Sequence, residues 1–312
     1  MSNQPVNGII LSMNIYEQID ANRQKTWLIM LVFTLIIGAL AWLFASALGY
    51  EGAGALGYVG FGLLLTGTIN FVSYYFSDKM VLALSGAKPV TKKDAPQLYT
   101  IVENLCIGAG IPMPKIYIVD DPTPNAFATG RDPQHAAIAV HTGLSEKLDK
   151  LEMEGVIAHE LSHIRNFDTR LMAIVAILAG TLAMLADFFL RTLWWGGERD
   201  RDSKGQAIFM VLGIIAALVA PLAAQLIQMA VSRRREFLAD ASGALLTRYP
   251  EGLAQALEKI AASKTPSPTA STATAHLYFA NPLGNKKVGS WVLGLFNTHP
   301  PIEERIKILR AM

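Results

Sequence analysis

The sequence predicts a mainly α-helical integral membrane protein, with four transmembrane helices and an α+β domain that carries a small sheet. Hydrophobic residues make up 52% of the 312 residues and charged residues only 17%. The mean hydropathy of +0.32 is high for a soluble protein. In addition, four apolar runs, with Asp187 as their single charged residue, are each long enough to cross roughly 30 Å of hydrocarbon as a helix.

These runs predict transmembrane helices at 27–48, 54–77, 171–190 and 207–231. The second run is rich in glycine, which is typical of helices that pack closely in a membrane. The third run carries Asp187 near its end, so a buried helix of a soluble core is an alternative there. Asp187 precedes Arg191 by four residues, which places the two side chains on one helix face and predicts an ion pair.

The chain before the first run is polar. Residues 1–26 are mixed in charge, and the hydrophobic run that follows is too long for a cleaved signal peptide, which predicts a retained signal anchor. Within this segment, 13–25 form either a short interfacial helix or a polar leader. The single cysteine, Cys106, excludes an intrachain disulfide. A net charge of +2 gives no indication of nucleic-acid binding.

A further helix is predicted at 150–170, outside the membrane. This stretch has no proline, and its apolar residues have helical spacing. Asp149 or Ser145 is positioned to cap its first turn. Apolar residues around 159–163 would bury the helix in a dry core, which would hold polar side chains there in fixed orientations.

Residues 159–163 read HELSH and carry chemistry on this helix. His159 and His163 lie four residues apart on one face, the spacing that binds one zinc ion. Glu160 is positioned to take a proton from water at the open coordination position and later give it to a leaving amine. The pattern predicts peptide hydrolysis with one zinc ion per chain. The alternative is a surface helix with two incidental histidines.

Four spans put 1–26, 79–170 and 233–312 on the same side of the membrane. Basic residues concentrate near the helix ends on that side, whereas the first loop on the other side has only Glu51, so the positive-inside rule predicts the cytoplasm. The loop 191–204 carries both signs of charge and weakens this bias. We expect one catalytic domain, built from 79–170 and 233–312, at the cytoplasmic face.

The same topology selects a third zinc ligand. Because the third span leaves the catalytic side and the fourth returns to it, residues just after the fourth span come back near the two histidines. Glu236 lies there, about one helical turn beyond the membrane, and is the predicted ligand, with water in the fourth position. Asp240, one turn further, is positioned to accept the outer N–H of His159 or His163. The alternative for both acidic residues is a solvated helix face beside the arginines at 233–235.

These motifs together resemble those of the HtpX group of membrane zinc metallopeptidases, relatives of the CAAX prenyl proteases. The resemblance covers nearly the whole chain and rests on four segments: HELSH at 159–163, R-E-F-L-A-D at 235–240, N-A-F-A-T-G at 125–130, and H-P-P with Arg-Ile at 299–306. It implies zinc, endoproteolysis and a quality-control role against damaged or misfolded membrane proteins at a prokaryotic inner membrane.

Residues 125–130 alternate small and aromatic side chains and end at a glycine, which predicts an exposed edge strand. An extended peptide substrate would hydrogen-bond to the backbone of Asn125, Ala126, Phe127 and Ala128. We predict neighbouring strands at 116–119 and 136–140, which complete a small sheet packed on helices in a zincin-like domain. The alternative is a plain core strand or loop.

Two features near the carboxyl end have two interpretations each. His299 and Arg305 either stabilise the oxyanion at the zinc or end a loop and bind a carboxylate. Residues 263–275, rich in Pro, Ser, Thr and Ala, predict a flexible loop, which is either a lid over the cleft or a linker. Two rival functions also stand: a specific processing protease of the CAAX type, and a non-enzymatic membrane zinc-binding protein, a sensor or transporter that needs no general base.

Overall fold

The structure is a computed structural model and describes residues 15–195, 233–263 and 300–312. The fourth predicted span at 207–231, the predicted loop beyond Ser263, and His299 lie outside the described residues. The helices are α1 (Ile15–Ala47), α2 (Ala53–Leu84), α3 (Pro96–Ala109), α4 (Thr142–Lys147), α5 (Lys150–Arg165), α6 (Asp168–Trp195), α7 (Arg233–Thr247), α8 (Pro250–Ala261) and α9 (Ile302–Leu309). The strands are β1 (Lys88–Pro89), β2 (Lys115–Val119), β3 (Ala126–Gly130) and β4 (Ala136–His141).

Three of these helices are long and apolar enough to cross a membrane. The candidate spans are Ile19–Ser46 in α1, Ala53–Leu84 in α2 and Asp168–Asp187 in α6. They match three of the four predicted spans. The predicted pair near the end of the third is present, because Nε of Arg191 donates to Oδ2 of Asp187 at 2.7 Å.

The first helix begins earlier than predicted. Residues 15–26 continue directly into the apolar span, so they form neither a separate interfacial helix nor a polar leader. Two polar residues in this part, Asn22 and Thr26, are almost fully buried. The Thr26 hydroxyl donates to the backbone carbonyl of Asn22 at 2.8 Å. Burial of these side chains against the rest of the protein explains why the helix extends beyond its hydrophobic run.

The predicted continuous helix at 150–170 is interrupted. Helix α5 ends at Arg165, and the backbone N–H of Asn166 donates to the carbonyl of Ser162 at 3.0 Å. Phe167 then adopts a φ of 59°, in the left-handed region, and α6 begins at Asp168. Glycine or proline commonly signals the end of a helix in a sequence. This turn contains neither, and the helical spacing of apolar residues continues through it, so the sequence did not indicate the break. The break separates the HELSH helix from the third span and changes the chain direction between them.

The four strands form one sheet in the order β1–β2–β4–β3. Strand β2 pairs parallel with β4, and β3 pairs antiparallel with β4. Among the described residues, the predicted strand at 125–130 therefore lies at an edge of the sheet, and only one of its two predicted neighbours pairs with it. All five residues of β3 are buried, because α2, α5 and α6 pack against it. The prediction that this edge is exposed is wrong.

Helices from the carboxyl-terminal segment pack directly on α5. Helices α7 and α8 both contact it, and the two approaches are close because each occurs at a glycine. A Cβ on Gly243 of α7 would lie 3.0 Å from the backbone nitrogen of His159, and one on Gly155 of α5 would lie 2.8 Å from the backbone nitrogen of Leu253. The approach at Gly243 sets α7 against the HELSH motif.

Candidate metal centre

Helix α5 holds the HELSH motif on a firmly capped helix. The Asp149 side chain accepts from the backbone N–H of Glu152, and the Glu152 side chain accepts from the backbone N–H of Asp149, which forms a capping box. Asp149 is thus the cap, rather than Ser145. His159 and His163 follow two turns later; they are 1% and 4% exposed, and their Nε2 atoms lie 3.1 Å apart.

Glu236, in the first turn of α7, faces the same point. Its carboxylate oxygens lie 3.8 Å from Nε2 of His159 and 3.6 Å from Nε2 of His163. Ligand atoms of the three residues all lie within 4.8 Å of one another. An ion held tetrahedrally at roughly 2.0–2.1 Å from its ligands sets neighbouring ligand atoms about 3.3 Å apart. The three side chains therefore have the dimensions of a metal site.

Each imidazole also contacts a carboxylate through its outer nitrogen. Nδ1 of His159 lies 2.9 Å from Oδ1 of Asp240, and Nδ1 of His163 lies 2.9 Å from Oδ2 of Asp168. A carboxylate that accepts the Nδ1 proton leaves the Nε2 lone pair available to a metal ion. Asp240 was expected beside one of the two histidines, whereas Asp168 was not expected at the site. A continuous helix would have put Asp168, five residues beyond His163, on a different face.

Arg305 of α9 binds Asp240. Its fully buried guanidinium donates from Nε to Oδ2 at 2.8 Å and from Nη2 to Oδ1 at 2.7 Å, a bidentate pair. Its Nη1 lies 3.9 Å from Oε2 of Glu236. Of the two interpretations of Arg305, the geometry favours carboxylate binding over oxyanion stabilisation, because two of its donors point at Asp240.

Asp168 has a similar arginine partner. Its Oδ1 accepts from Nδ2 of Asn22 at 2.7 Å and lies 2.7 Å from Nε of Arg235. Nη2 of Arg235 in turn donates to Oδ1 of Asn22 at 2.8 Å. Each histidine therefore contacts a carboxylate, and each carboxylate contacts a buried arginine: Arg305 for Asp240 and Arg235 for Asp168.

The buried charges among the described residues of this site do not cancel. The site contains four carboxylates and two guanidinium groups on residues that are at most 3% exposed. The carboxylates belong to Glu160, Glu236, Asp168 and Asp240, and the guanidinium groups to Arg235 and Arg305. When both imidazoles are neutral, as metal binding requires, two negative charges remain uncompensated, and they are costly to bury without a counter-ion. The excess equals the charge of one divalent cation, so the residues present fit such an ion.

The same charges separate the pKa values of the two imidazoles. Burial lowers the pKa of His159 to about 4, although Asp240 counteracts this effect. Burial also disfavours the charged form of His163, but the hydrogen bond to Asp168 and the negative charges of Glu236 and Glu160 outweigh it and raise the pKa to about 9. The metal-free pair therefore holds one positive charge at neutral pH, where the three candidate ligands converge.

The predicted substrate strand lies beside the metal-site helix. Ala126 and Ala128 of β3 belong to the same core cluster as Val156 and Ile157 of α5. Phe127 points to the opposite side of the strand, into a cluster with residues of α2 and α6. The strand is therefore fixed between the helix that carries the two histidines and the helices of membrane-spanning length.

Known proteins are similar in sequence to this chain over most of its length. Residues 92–312 match Peptidase family M48. A protein from Dictyoglomus thermophilum described as "Protease HtpX homolog" is 45% identical over 297 residues, which cover 95% of this chain and 94% of that protein. Another of the same description, from Caldanaerobacter subterraneus subsp. tengcongensis, is 44% identical and covers 96% and 98%. The crystal structure of S. mikatae Ste24p aligns with 91% of this chain and 66% of its own chain, with a TM-score of 0.46 and 18% identity.

Proposed function

Because the chain belongs to Peptidase family M48, we propose that this membrane metalloprotease is a zinc-dependent endopeptidase that cuts misfolded or damaged membrane proteins. The relatives described as protease HtpX homologues match it over nearly their whole length, which supports the same activity for the whole chain. The observation that carries the proposal is the convergence of His159, His163 and Glu236 on one point.

We assign these three residues as ligands of one zinc ion per chain. Two imidazole nitrogens with one carboxylate are a donor set typical of catalytic zinc, whereas calcium and magnesium prefer oxygen ligands alone. The single cysteine of the chain, Cys106, gives no thiolate cluster that would compete as a structural zinc site. Asp240 and Asp168 accept the Nδ1 protons and so hold each ring with Nε2 towards the ion.

Glu160 is the proposed general base. When bound, zinc would polarise the scissile carbonyl and lower the pKa of the attacking water. Glu160 accepts the proton of that water and then donates it to the leaving amine. Its place directly after His159 on α5, its burial, and its charge acting on both His163 and Arg305 support this role.

We propose that the substrate lies alongside β3 as an added strand. In the described part of the chain this strand ends the sheet and packs against α5. The Asn125 carbonyl accepts from the His141 N–H, so the alternate residues Ala126 and Ala128 direct their backbone away from β4 and would supply the hydrogen bonds. Backbone pairing does not select side chains, which suits a protease with many substrates. A substrate that pairs with β3 in this way must be an extended and unfolded segment. This constraint supports misfolded proteins as the substrate class.

We further propose that 207–231 crosses the membrane as a fourth span and that the site faces the cytoplasm. Helix α6 carries the chain away from Asp168 for 28 residues, roughly 42 Å at about 1.5 Å per residue, yet α7 begins again at the site. A fourth span at 207–231 would bring the chain back over a comparable distance. Basic residues on the side of the spans where the site lies, among them Arg23, Lys25 and Arg165, support the cytoplasmic orientation.

Proteolysis by the purified full-length chain, reconstituted in lipid vesicles, tests this function. We expect cleavage of an unfolded protein at several internal sites, loss of cleavage after chelation, and recovery on addition of zinc. Cleavage confined to a prenylated carboxyl-terminal motif would favour a processing protease of the CAAX type. No cleavage of either substrate by the zinc-loaded protein would favour a non-enzymatic zinc-binding protein and contradict the proposal.

A further inference from the structure

Asn22 lies on the first helix of membrane-spanning length but contacts the surroundings of the metal centre. It is 1% exposed and belongs to the candidate span Ile19–Ser46 of α1. Its side-chain amide donates to Oδ1 of Asp168 at 2.7 Å and to the backbone carbonyl of Asn166 at 3.0 Å. Its side-chain oxygen Oδ1 accepts from Nη2 of Arg235 at 2.8 Å. All three partners belong to other parts of the chain.

The two oxygens of the Asp168 carboxylate contact different partners. Oδ1 faces Asn22 and Arg235, while Oδ2 lies 2.9 Å from Nδ1 of His163. A carboxylate fixed through one oxygen presents the other in a defined direction, and such outer partners set the orientation of a metal-binding imidazole. Asn22 and His163 therefore contact the two oxygens of the same carboxylate, that of Asp168.

Asn22 also holds the turn that places Asp168. Its amide bridges the carbonyl of Asn166, where α5 ends, and the side chain of Asp168, where α6 begins. Between them Phe167 has its left-handed φ of 59°. A non-glycine residue in this region persists where the surroundings hold it. The two donated hydrogen bonds of Asn22 are such a constraint.

We propose that Asn22 is a positioning residue of the metal centre, which acts through Asp168 to orient His163. This inference rests on the proposed function, since it takes His163 as a zinc ligand. It makes the first helix of membrane-spanning length part of the metal centre's support, so that a displacement of α1 changes the orientation of His163. A residue that merely filled a buried polar position would stabilise the fold without affecting metal binding through Asp168.

Zinc affinity of the full-length protein, measured by competition with a chromophoric chelator, tests the proposal without relying on proteolysis. The parent for all variants is Glu160→Gln, which prevents self-cleavage. In Asn22→Ala we expect affinity to fall by about threefold to tenfold, less than the about 10–100-fold typical of losing a direct carboxylate partner of a ligand. The matched control is Thr26→Ala, one turn further on α1. Thr26 is equally buried, but its hydroxyl bonds only to its own helix among the contacts described, so we expect the parent affinity.

A double-substitution cycle separates positioning from general stabilisation. If Asn22 acts through Asp168, then Asn22→Ala in an Asp168→Ala background should cause no further loss of zinc affinity. An equal loss in both backgrounds, or parent affinity in Asn22→Ala, would overturn the proposal. Thermal unfolding of each variant is recorded in parallel, and Asn22→Ser replaces Asn22→Ala if the latter does not fold. A parent that binds no zinc would instead overturn the proposed function.

Discussion

His163 and Asp168 are five residues apart in sequence and belong to different helices, yet Nδ1 of the imidazole lies 2.9 Å from Oδ2 of the carboxylate. The contact exists because the chain turns at Asn166 and Phe167 between α5 and α6. His159 makes the equivalent contact with Asp240, which comes from α7. The two imidazoles thus have matching partners from unrelated parts of the chain.

Loss of either carboxylate partner should weaken zinc binding. We expect Asp168→Ala and Asp240→Ala each to lower zinc affinity by about 10–100-fold, because the imidazole loses the acceptor that fixes its ring. Competition titration of the purified protein measures this. The control is Asp187→Ala, which removes an exposed carboxylate paired with Arg191 and should leave the affinity unchanged. If all three variants bound zinc with the same affinity, neither Asp168 nor Asp240 would contribute to zinc binding.

Removal of Arg305 should destabilise the protein and weaken zinc binding together. The substitution Arg305→Ala leaves the Asp240 carboxylate buried without its bidentate partner, which costs about 3–5 kcal/mol for a broken buried pair. Arg310→Ala, which breaks exposed and solvent-screened pairs with Glu251 and Glu258, should leave the midpoint of thermal unfolding nearly unchanged. Thermal unfolding measures the stability of each variant, and zinc titration measures its zinc affinity. Unchanged stability and zinc content with a lowered kcat would instead support the oxyanion role.

Zinc binding should release about one proton at pH 7. In the metal-free protein, the pKa of His163 is raised to about 9, so this imidazole is protonated at pH 7 and must lose its proton to bind zinc. The pKa of His159 is lowered to about 4, so it is already neutral. Calorimetry in buffers of different ionisation enthalpy counts the released protons. We expect the number to fall towards zero above about pH 9; no release at pH 7 would show that both imidazoles are neutral.

Thiol labelling should reveal the cytoplasmic orientation of the site. In a Cys106→Ser background, Glu51→Cys places a thiol in the exposed loop between α1 and α2, and Lys150→Cys places one at the exposed start of α5. A membrane-impermeant maleimide should label the first variant in intact cells and the second only after the cells are opened. The reverse pattern would put the metal centre on the external face.

Local signals predicted much of this structure. The capped HELSH helix follows from Asp149 and the spacing of apolar residues, and the edge position of β3 follows from its composition and its terminal glycine. The approach of Glu236 to the histidines was predicted from a count of four membrane crossings, three of which correspond to candidate spans in the described residues. Each of these features depends on residues close in sequence or on a simple topological rule.

Other features depend on long-range contacts that the sequence pattern does not indicate. The turn at Phe167 has no glycine or proline, and Asn22, which bonds to the residues on both sides of it, is 146 positions away from Asp168 in sequence. The burial of β3 depends on three helices, α2, α5 and α6, that are distant from it in sequence. Strand β1 has two residues and no detectable alternation. These contacts explain why Asp168 and Asn22 were not predicted as part of the site.

The central claim is that His159, His163 and Glu236 bind one zinc ion while Glu160 acts as the base. Bound zinc per chain, determined by elemental analysis beside a proteolysis assay, tests it most directly. We expect about one zinc in the unmodified protein and in Glu160→Gln, with proteolysis lowered by about 10²–10⁴-fold or more in the latter. Glu236→Ala should retain little zinc. Full zinc content in Glu236→Ala, or undiminished cleavage by Glu160→Gln, would contradict the account.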